Sequence, residues 1–223
     1  MSIQPRDLGV VVGRFNHEQL GHVFLFDTSR TFCQRTLVLV GSANEYGTLR
    51  NPFRVETRKE VIQNTYPNES DEVFMVRGLN DLTNELDISN EWGEYVISEV
   101  KTHMHKFASL MIYGNDEFRS QWFDAQQLKD TMEIIVPRST IAISGTEIRG
   151  LLLLDMEEEW QKYTHPLIHR MYQRLRSELL QVEVYKEIYN TVRKTDMTME
   201  DFMRVYAEYE RIDKETKMAA IGK

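Results

Sequence analysis

The segment Leu8-Gly9-Val10-Val11-Val12-Gly13-Arg14-Phe15-Asn16-His17-Glu18-Gln19-Leu20-Gly21-His22 opens as a short apolar run and breaks at a glycine. An apolar run without polar alternation is the pattern of a strand covered on both faces. The glycine lets the backbone turn tightly where that strand ends. Leu20, Val23, Phe24 and Phe26 then recur at helix-compatible spacing, so the segment reads as strand, turn and helix. Such a turn aims the first N–H groups of the helix at whatever occupies it, and phosphate is the natural guest. Arg14 adds a bidentate donor. His22, on the first helical turn, adds an imidazole suited to developing phosphoryl charge.

Working outward, the same alternation repeats. Residues 36–40 form a second β-branched run closed by Gly41 and Ser42, and 55–64 read as a helix. Residues 72–76 read as a strand, 91–105 as a helix and 110–113 as a strand. A short helix is expected over 117–126 and a last strand over 132–135. This rhythm predicts an α/β fold: a doubly wound parallel sheet of about five strands that binds its ligand at the strands' carboxyl ends.

Composition narrows the classes. The chain has 223 residues, 41% of them hydrophobic, which is ample for a core and excludes a disordered or fibrous protein. With 27 basic against 35 acidic side chains the formal charge is −8, which argues against nucleic acid as the main partner. No apolar run approaches the ~20 residues of a membrane span, and no secretory signal pattern opens the chain. Cys33 is the single cysteine, so a reducing, cytoplasmic setting is expected.

Beyond Gly150 only Pro166 and Gly222 interrupt a highly charged stretch. It divides the chain into a core domain over 1–160 and a helical C-terminal extension over 161–223. In the extension, Leu167, Met171, Leu175 and Leu179 repeat every four residues and predict one helix with an apolar stripe. Val184, Ile188 and Val192 continue the theme, as do Met199, Phe202, Met203 and Tyr206. The stripe is expected to pack on the core or on a partner subunit. His165 and His169 have metal-compatible spacing, but no carboxylate or cysteine completes a set, and no metal ligand is assigned.

A second motif strengthens the phosphate reading. In Ile143-Ser144-Gly145-Thr146-Glu147-Ile148-Arg149 an N-cap serine opens a helix, with Glu147 placed for a capping box. Thr146 and Arg149, three apart, share a face with the exposed amides. Two helix N-termini, each with an arginine, suit a polyphosphate better than a single phosphate.

Together these motifs resemble the nucleotidyltransferase superfamily of HxGH type, in which a GRF-x(6)-GH segment precedes ISGTEIR. The stretch Gly41-Ser42-Ala43-Asn44-Glu45-Tyr46-Gly47-Thr48-Leu49-Arg50-Asn51-Pro52-Phe53 is most similar to the archaeal-type nicotinamide mononucleotide adenylyltransferases. The resemblance covers residues 8 to about 165. It implies a Rossmann-like fold that joins ATP and nicotinamide mononucleotide into NAD and pyrophosphate, with Mg2+ arriving on ATP. By motif position it implies catalytic roles for Arg14, His22 and Arg149. It implies ATP contacts from Gly13, Arg14, Phe15, Gln19, Gly21, His22, Arg58, Gly114, Asn115, Ser144, Thr146 and Arg149. Ser42, Asn51, Asp81 and Trp92 fall on the side of the mononucleotide. From the residues alone, Trp92 reads as core on an amphipathic helix; the resemblance makes it a stacking platform for nicotinamide. Family members often form oligomers.

One position departs from the family. Gln19 stands where the first histidine of HxGH belongs, and glutamine offers a neutral hydrogen bond where histidine could carry charge. His17 is a candidate to stand in for it. Two other readings compete: a transferase of the same fold using pantetheine phosphate or CTP, and a non-catalytic nucleotide sensor.

Overall fold

The computed structural model describes residues 5–82, 90–114, 122–137 and 143–221. Among them run five strands, β1 (Arg6–Gly13), β2 (Cys33–Val40), β3 (Phe74–Gly78), β4 (Leu110–Gly114) and β5 (Met132–Val136). All neighbouring pairs are parallel, and the order is β3-β2-β1-β4-β5. This is the Rossmann-like doubly wound sheet. Its direction of winding reverses between β1 and β4, where such folds open a crevice.

Period-two alternation builds the two faces. Leu8, Val10 and Val12 of β1, with Leu37, Leu39 and Met111, pack against Val96, Val100 and Met104 of α3 (Asn90–Met104). Val11, Val38, Val40 and Ile112 point the other way, onto Leu25 and Phe26 of α1 (Leu20–Phe32) and Ile62 of α2 (Val55–Thr65). Gly9 permits the close approach of α1, since a Cβ there would lie 2.1 Å from the Ser29 hydroxyl oxygen.

After β5 come α4 (Gly145–Leu153), α5 (Glu157–Lys162), a 3-10 turn over Pro166–Met171, α6 (Tyr172–Gln181), α7 (Glu183–Val192) and α8 (Met199–Ile221). These helices share one apolar cluster with Leu49 and Phe53 of the segment after β2. Among the described residues no helix is long and apolar enough to cross a membrane.

Three expectations need correction. The stripe from Leu167 to Leu179 is not one helix. Pro166 starts a 3-10 turn whose tighter winding leaves Leu167 47% exposed and places Ile168, Met171 and Tyr172 in the core instead. The expected helix over 117–126 lies partly outside the described residues. Its described end is a turn, in which the Asp124 carboxylate accepts from the N–H groups of Gln126 and Gln127, both at 2.8 Å. β3 begins at Phe74, two residues late, because Val73 N–H closes a turn on Ser70.

Candidate active site

A cleft of about 350 Å3 opens at the carboxyl ends of β1, β4 and β5, the size class of a small-molecule site. Gly13 and Arg14 line it as β1 ends. Phe15 adopts a left-handed φ of 48° and turns its ring edge-on to His22, with centroids 5.0 Å apart. Gln19 is the N-cap of α1, and its N–H donates to His22 Nδ1 at 3.3 Å. That bond assigns the neutral ring's proton to Nε2. Gln19, Gly21 and His22 all line the cleft.

The opposite wall is the N-terminus of α4. Ser144 caps it as expected: its hydroxyl accepts from Glu147 N–H at 3.1 Å, and the Glu147 carboxylate accepts from Ser144 N–H at 2.6 Å. Ser144, Gly145, Thr146 and Arg149 line the cleft, as does Gly114 at the end of β4. Arg149 is 6% exposed. Its Nη1 donates to the Asn16 carbonyl at 2.5 Å and its Nη2 to the Thr146 hydroxyl at 3.2 Å. Both helix N-termini therefore face one space, each with its arginine, as the motifs predicted. Asn115 lies outside the described residues.

Arg58 is not brought to the cleft. Its guanidinium, 2% exposed, donates to the carbonyls of Arg14 (2.8 Å), Gly41 (2.7 Å) and Ser42 (2.8 Å). It ties the ends of β1 and β2 together, and burial pushes its pKa down to about 10 against the opposing pull of Asp81 and Glu56.

The residues expected beside the mononucleotide are likewise absent from the cleft lining, and they bond within the protein. The Ser42 hydroxyl donates to the Asp81 carboxylate at 3.1 Å. Asn51, fully buried, accepts from Asn16 at 2.7 Å and donates to Glu45 at 2.8 Å. Trp92 is buried in the cluster around α3 and stacks on Trp122, centroids 5.6 Å apart. The core reading of Trp92 is the one its surroundings match.

His17 does not replace the missing histidine. It is buried away from the cleft lining, parallel to the Trp160 indole, and accepts its N–H at 3.1 Å. Burial, then the neighbouring His22 and Arg149, push its pKa down to about 3, so it is neutral near pH 7. Beside it, burial pushes Glu18 up to about 8, against its hydrogen bond from Thr65.

The sequence reading missed four residues that shape the cleft. Arg50 and Glu210 line it and pair across 3.4 Å. Tyr206 lines it too, and both Tyr185 and Tyr206 touch Arg149 through their hydroxyls. Arg50 sat inside a quoted motif and carried the one legible signal. The tyrosines sat in apolar stripes and read as core. Among the described residues no group of three metal-ligating side chains is present, and the acid lining the cleft is the Arg50-paired Glu210.

The cytidylyltransferase-like family model matches residues 10–151. No curated protein sequence matches the chain. Among solved structures, a bifunctional NMN adenylyltransferase/ADP ribose pyrophosphatase from Francisella tularensis, complexed with AMP and a Mn ion, is 16% identical. Its TM-score is 0.61, over 85% of this chain and 53% of that one. TmcAL of Thermotoga maritima, bound with alpha-thio ATP, is 14% identical with a TM-score of 0.54, over 90% of this chain and 70% of that one. A putative nicotinate-nucleotide adenylyltransferase from Vibrio parahaemolyticus is 14% identical with a TM-score of 0.50, over 75% and 99%. At these identities the likeness is one of fold. The chain spans about half the length of the Francisella protein.

Proposed function

The chain belongs to the cytidylyltransferase-like family, and from that premise we propose that it transfers the adenylyl group of ATP to nicotinamide mononucleotide, forming NAD and pyrophosphate. The observation that carries this reading is the pair of helix N-termini, α1 and α4, facing one cleft with Arg14 and Arg149 beside them. Solved neighbours named as NMN or nicotinate-nucleotide adenylyltransferases support it. In this reading residues 1–160 form the transferase domain and 161–223 the helical extension.

A 5′-phosphate oxygen of the mononucleotide attacks the α-phosphorus of ATP in line. The bond from that phosphorus to the bridging oxygen breaks, and pyrophosphate leaves with its electron pair. No covalent enzyme intermediate is needed, so catalysis is positioning and charge neutralisation. His22 donates Nε2–H to an α-phosphoryl oxygen. Arg14, Arg149 and the amides of α4 hold the β- and γ-phosphates, with Ser144 and Thr146 setting that helix end. Mg2+ enters as part of the MgATP substrate and screens phosphate charge.

The test is NAD formation from ATP, nicotinamide mononucleotide and Mg2+, followed by a coupled dehydrogenase. Turnover that collapses by about 10²–10³-fold in Arg149→Ala supports the reading. Absence of NAD under saturating substrates overturns it. A second reading is another nucleotidyltransferase of the same fold, with pantetheine phosphate as the acceptor or CTP as the nucleotide. It is favoured by the internal bonding of Ser42, Asn51 and Asp81 and by the burial of Trp92. A thermal-shift panel separates the two, because the true ligands stabilise the native state by mass action.

A further inference from the structure

The Arg149 guanidinium is buried, yet among the described residues no carboxylate pairs with it. A buried charge without a counter-ion is costly, and such a charge is a standing demand for an anion. What holds the group in place is neutral. Nε donates to the Tyr185 hydroxyl at 2.7 Å, and Nη2 donates to the Tyr206 hydroxyl at 3.1 Å. Both hydroxyls pass the polarity on by donating to one acceptor, the Leu49 carbonyl, at 2.8 and 3.4 Å. With the bonds to Asn16 and Thr146, four of the five guanidinium N–H groups are engaged. Nη1, which carries the fifth, sits against Gly145, 3.4 Å from the place a Cβ there would take, at the open end of α4.

Phenols differ from carboxylates in what they leave behind. A carboxylate would position the guanidinium and cancel its charge, competing with any phosphate. A phenol positions it and leaves the charge for the ligand. Burial raises the Tyr185 pKa, and Arg149 opposes this without reversing it, so the phenol stays neutral. For Arg149, burial works against the charge, and the hydrogen bonds it donates to the two tyrosine hydroxyls favour it.

We infer that Tyr185 of α7 and Tyr206 of α8 are positioning residues for Arg149, and that the C-terminal helices thereby complete the triphosphate end of the cleft. The inference rests on the adenylyl-transfer reading and deepens it. It assigns the extension a direct part in nucleotide selectivity: recognition of the β- and γ-phosphates.

Tyr185→Phe and Tyr206→Phe keep the rings and remove the hydroxyls. Calorimetric titration of each variant with ATP and with AMP reads the effect. The expected result is a Kd for ATP about fivefold weaker in each single variant and about twentyfold weaker in the double. The Kd for AMP stays within about twofold, since the lost positioning concerns phosphates that AMP lacks. Added to Arg149→Gln, Tyr206→Phe produces no further loss. Equal weakening of ATP and AMP, or a Tyr206→Phe loss that persists beside Arg149→Gln, makes the tyrosines plain core residues and overturns the inference alone. A wild-type chain that binds no ATP overturns the inference and the underlying function together. If the double variant fails to fold, the single variants beside Arg149→Gln decide.

Discussion

At the ends of β1, β4 and β5, polar side chains line an open cleft, whereas past the ends of β2 and β3 they bond to one another. The first region presents the α4 amides, His22, Arg14 and Arg149 to a common space. In the second, Arg58 holds three carbonyls, Ser42 holds Asp81, and Asn51 joins Asn16 to Glu45. Motif residues from one family pattern thus do two kinds of work. Some are donors that line the cleft, and others are cross-braces that fix the loops bearing those donors. In the proposed reading, a site open on one side and closed on the other has its nucleotide half ready before its acceptor half.

The largest test of this contrast is Arg58→Ala. Three backbone carbonyls, one of them fully buried, lose their donor, which is expected to cost about 4 kcal/mol and lower Tm by about 8–16 °C in a chain of this size. Thermal denaturation checks it. A variant of unchanged Tm that fails to bind ATP would move Arg58 back among the phosphate donors and dissolve the contrast.

The second test concerns the loop beneath the open half. The His17 pKa is lowered to about 3, so below its ordinary 6.5 the unfolded chain takes a proton that the folded chain refuses. Stability therefore falls as pH drops from 6.5 towards 3. The Glu18 pKa is raised to about 8, so above 4.5 the unfolded chain releases a proton that the folded chain keeps. Stability falls as pH rises from 4.5 towards 8, at up to about 1.4 kcal/mol per unit. The two slopes offset between 4.5 and 6.5. Denaturant melts across pH should show a plateau there. Glu18→Gln should remove the alkaline limb and stabilise the protein by a few kcal/mol at pH 8. An unchanged alkaline limb in that variant would show that Glu18 is ionised in the fold.

A smaller effect is expected from Gln19→His. An imidazole at the α1 N-cap can carry charge towards the α-phosphoryl group, and turnover should rise about five- to tenfold. Unchanged turnover would mean that the cleft already supplies that charge. The smallest effect belongs to Trp92→Phe. KM for the mononucleotide should stay within about twofold while stability falls by about 1 kcal/mol. A tenfold rise in KM with Tm intact would show that the closed half opens around its substrate.

What the sequence could disclose follows the same division. The glycine at the end of β1, the run of apolar residues before it and the capping box at Ser144 are local signals, each legible within seven residues. They located the sheet, its direction and both helix N-termini. The destination of Arg58 was not legible, because an arginine on a helix looks alike whether it meets phosphate or three backbone carbonyls. Tyr185 and Tyr206 lie 36 and 57 residues from Arg149, inside stripes whose apolar spacing concealed their hydroxyls. Pro166 was visible, but its effect in splitting the Leu167–Leu179 stripe depended on how Ile168 and Tyr172 found the core.

The stack of His17 on Trp160 has a consequence for how the chain is made. The Trp160 N–H reaches His17 across 143 residues, and the first N–H of α1 is capped by the Tyr163 carbonyl at 2.9 Å. At ~5–20 residues per second, a ribosome needs roughly 7–30 s to deliver Trp160 after His17. For that interval the glycine turn exists without the indole that closes over it and without the carbonyl that caps its helix. The segment translated first therefore completes its own contacts only once residues 160–163 have been made.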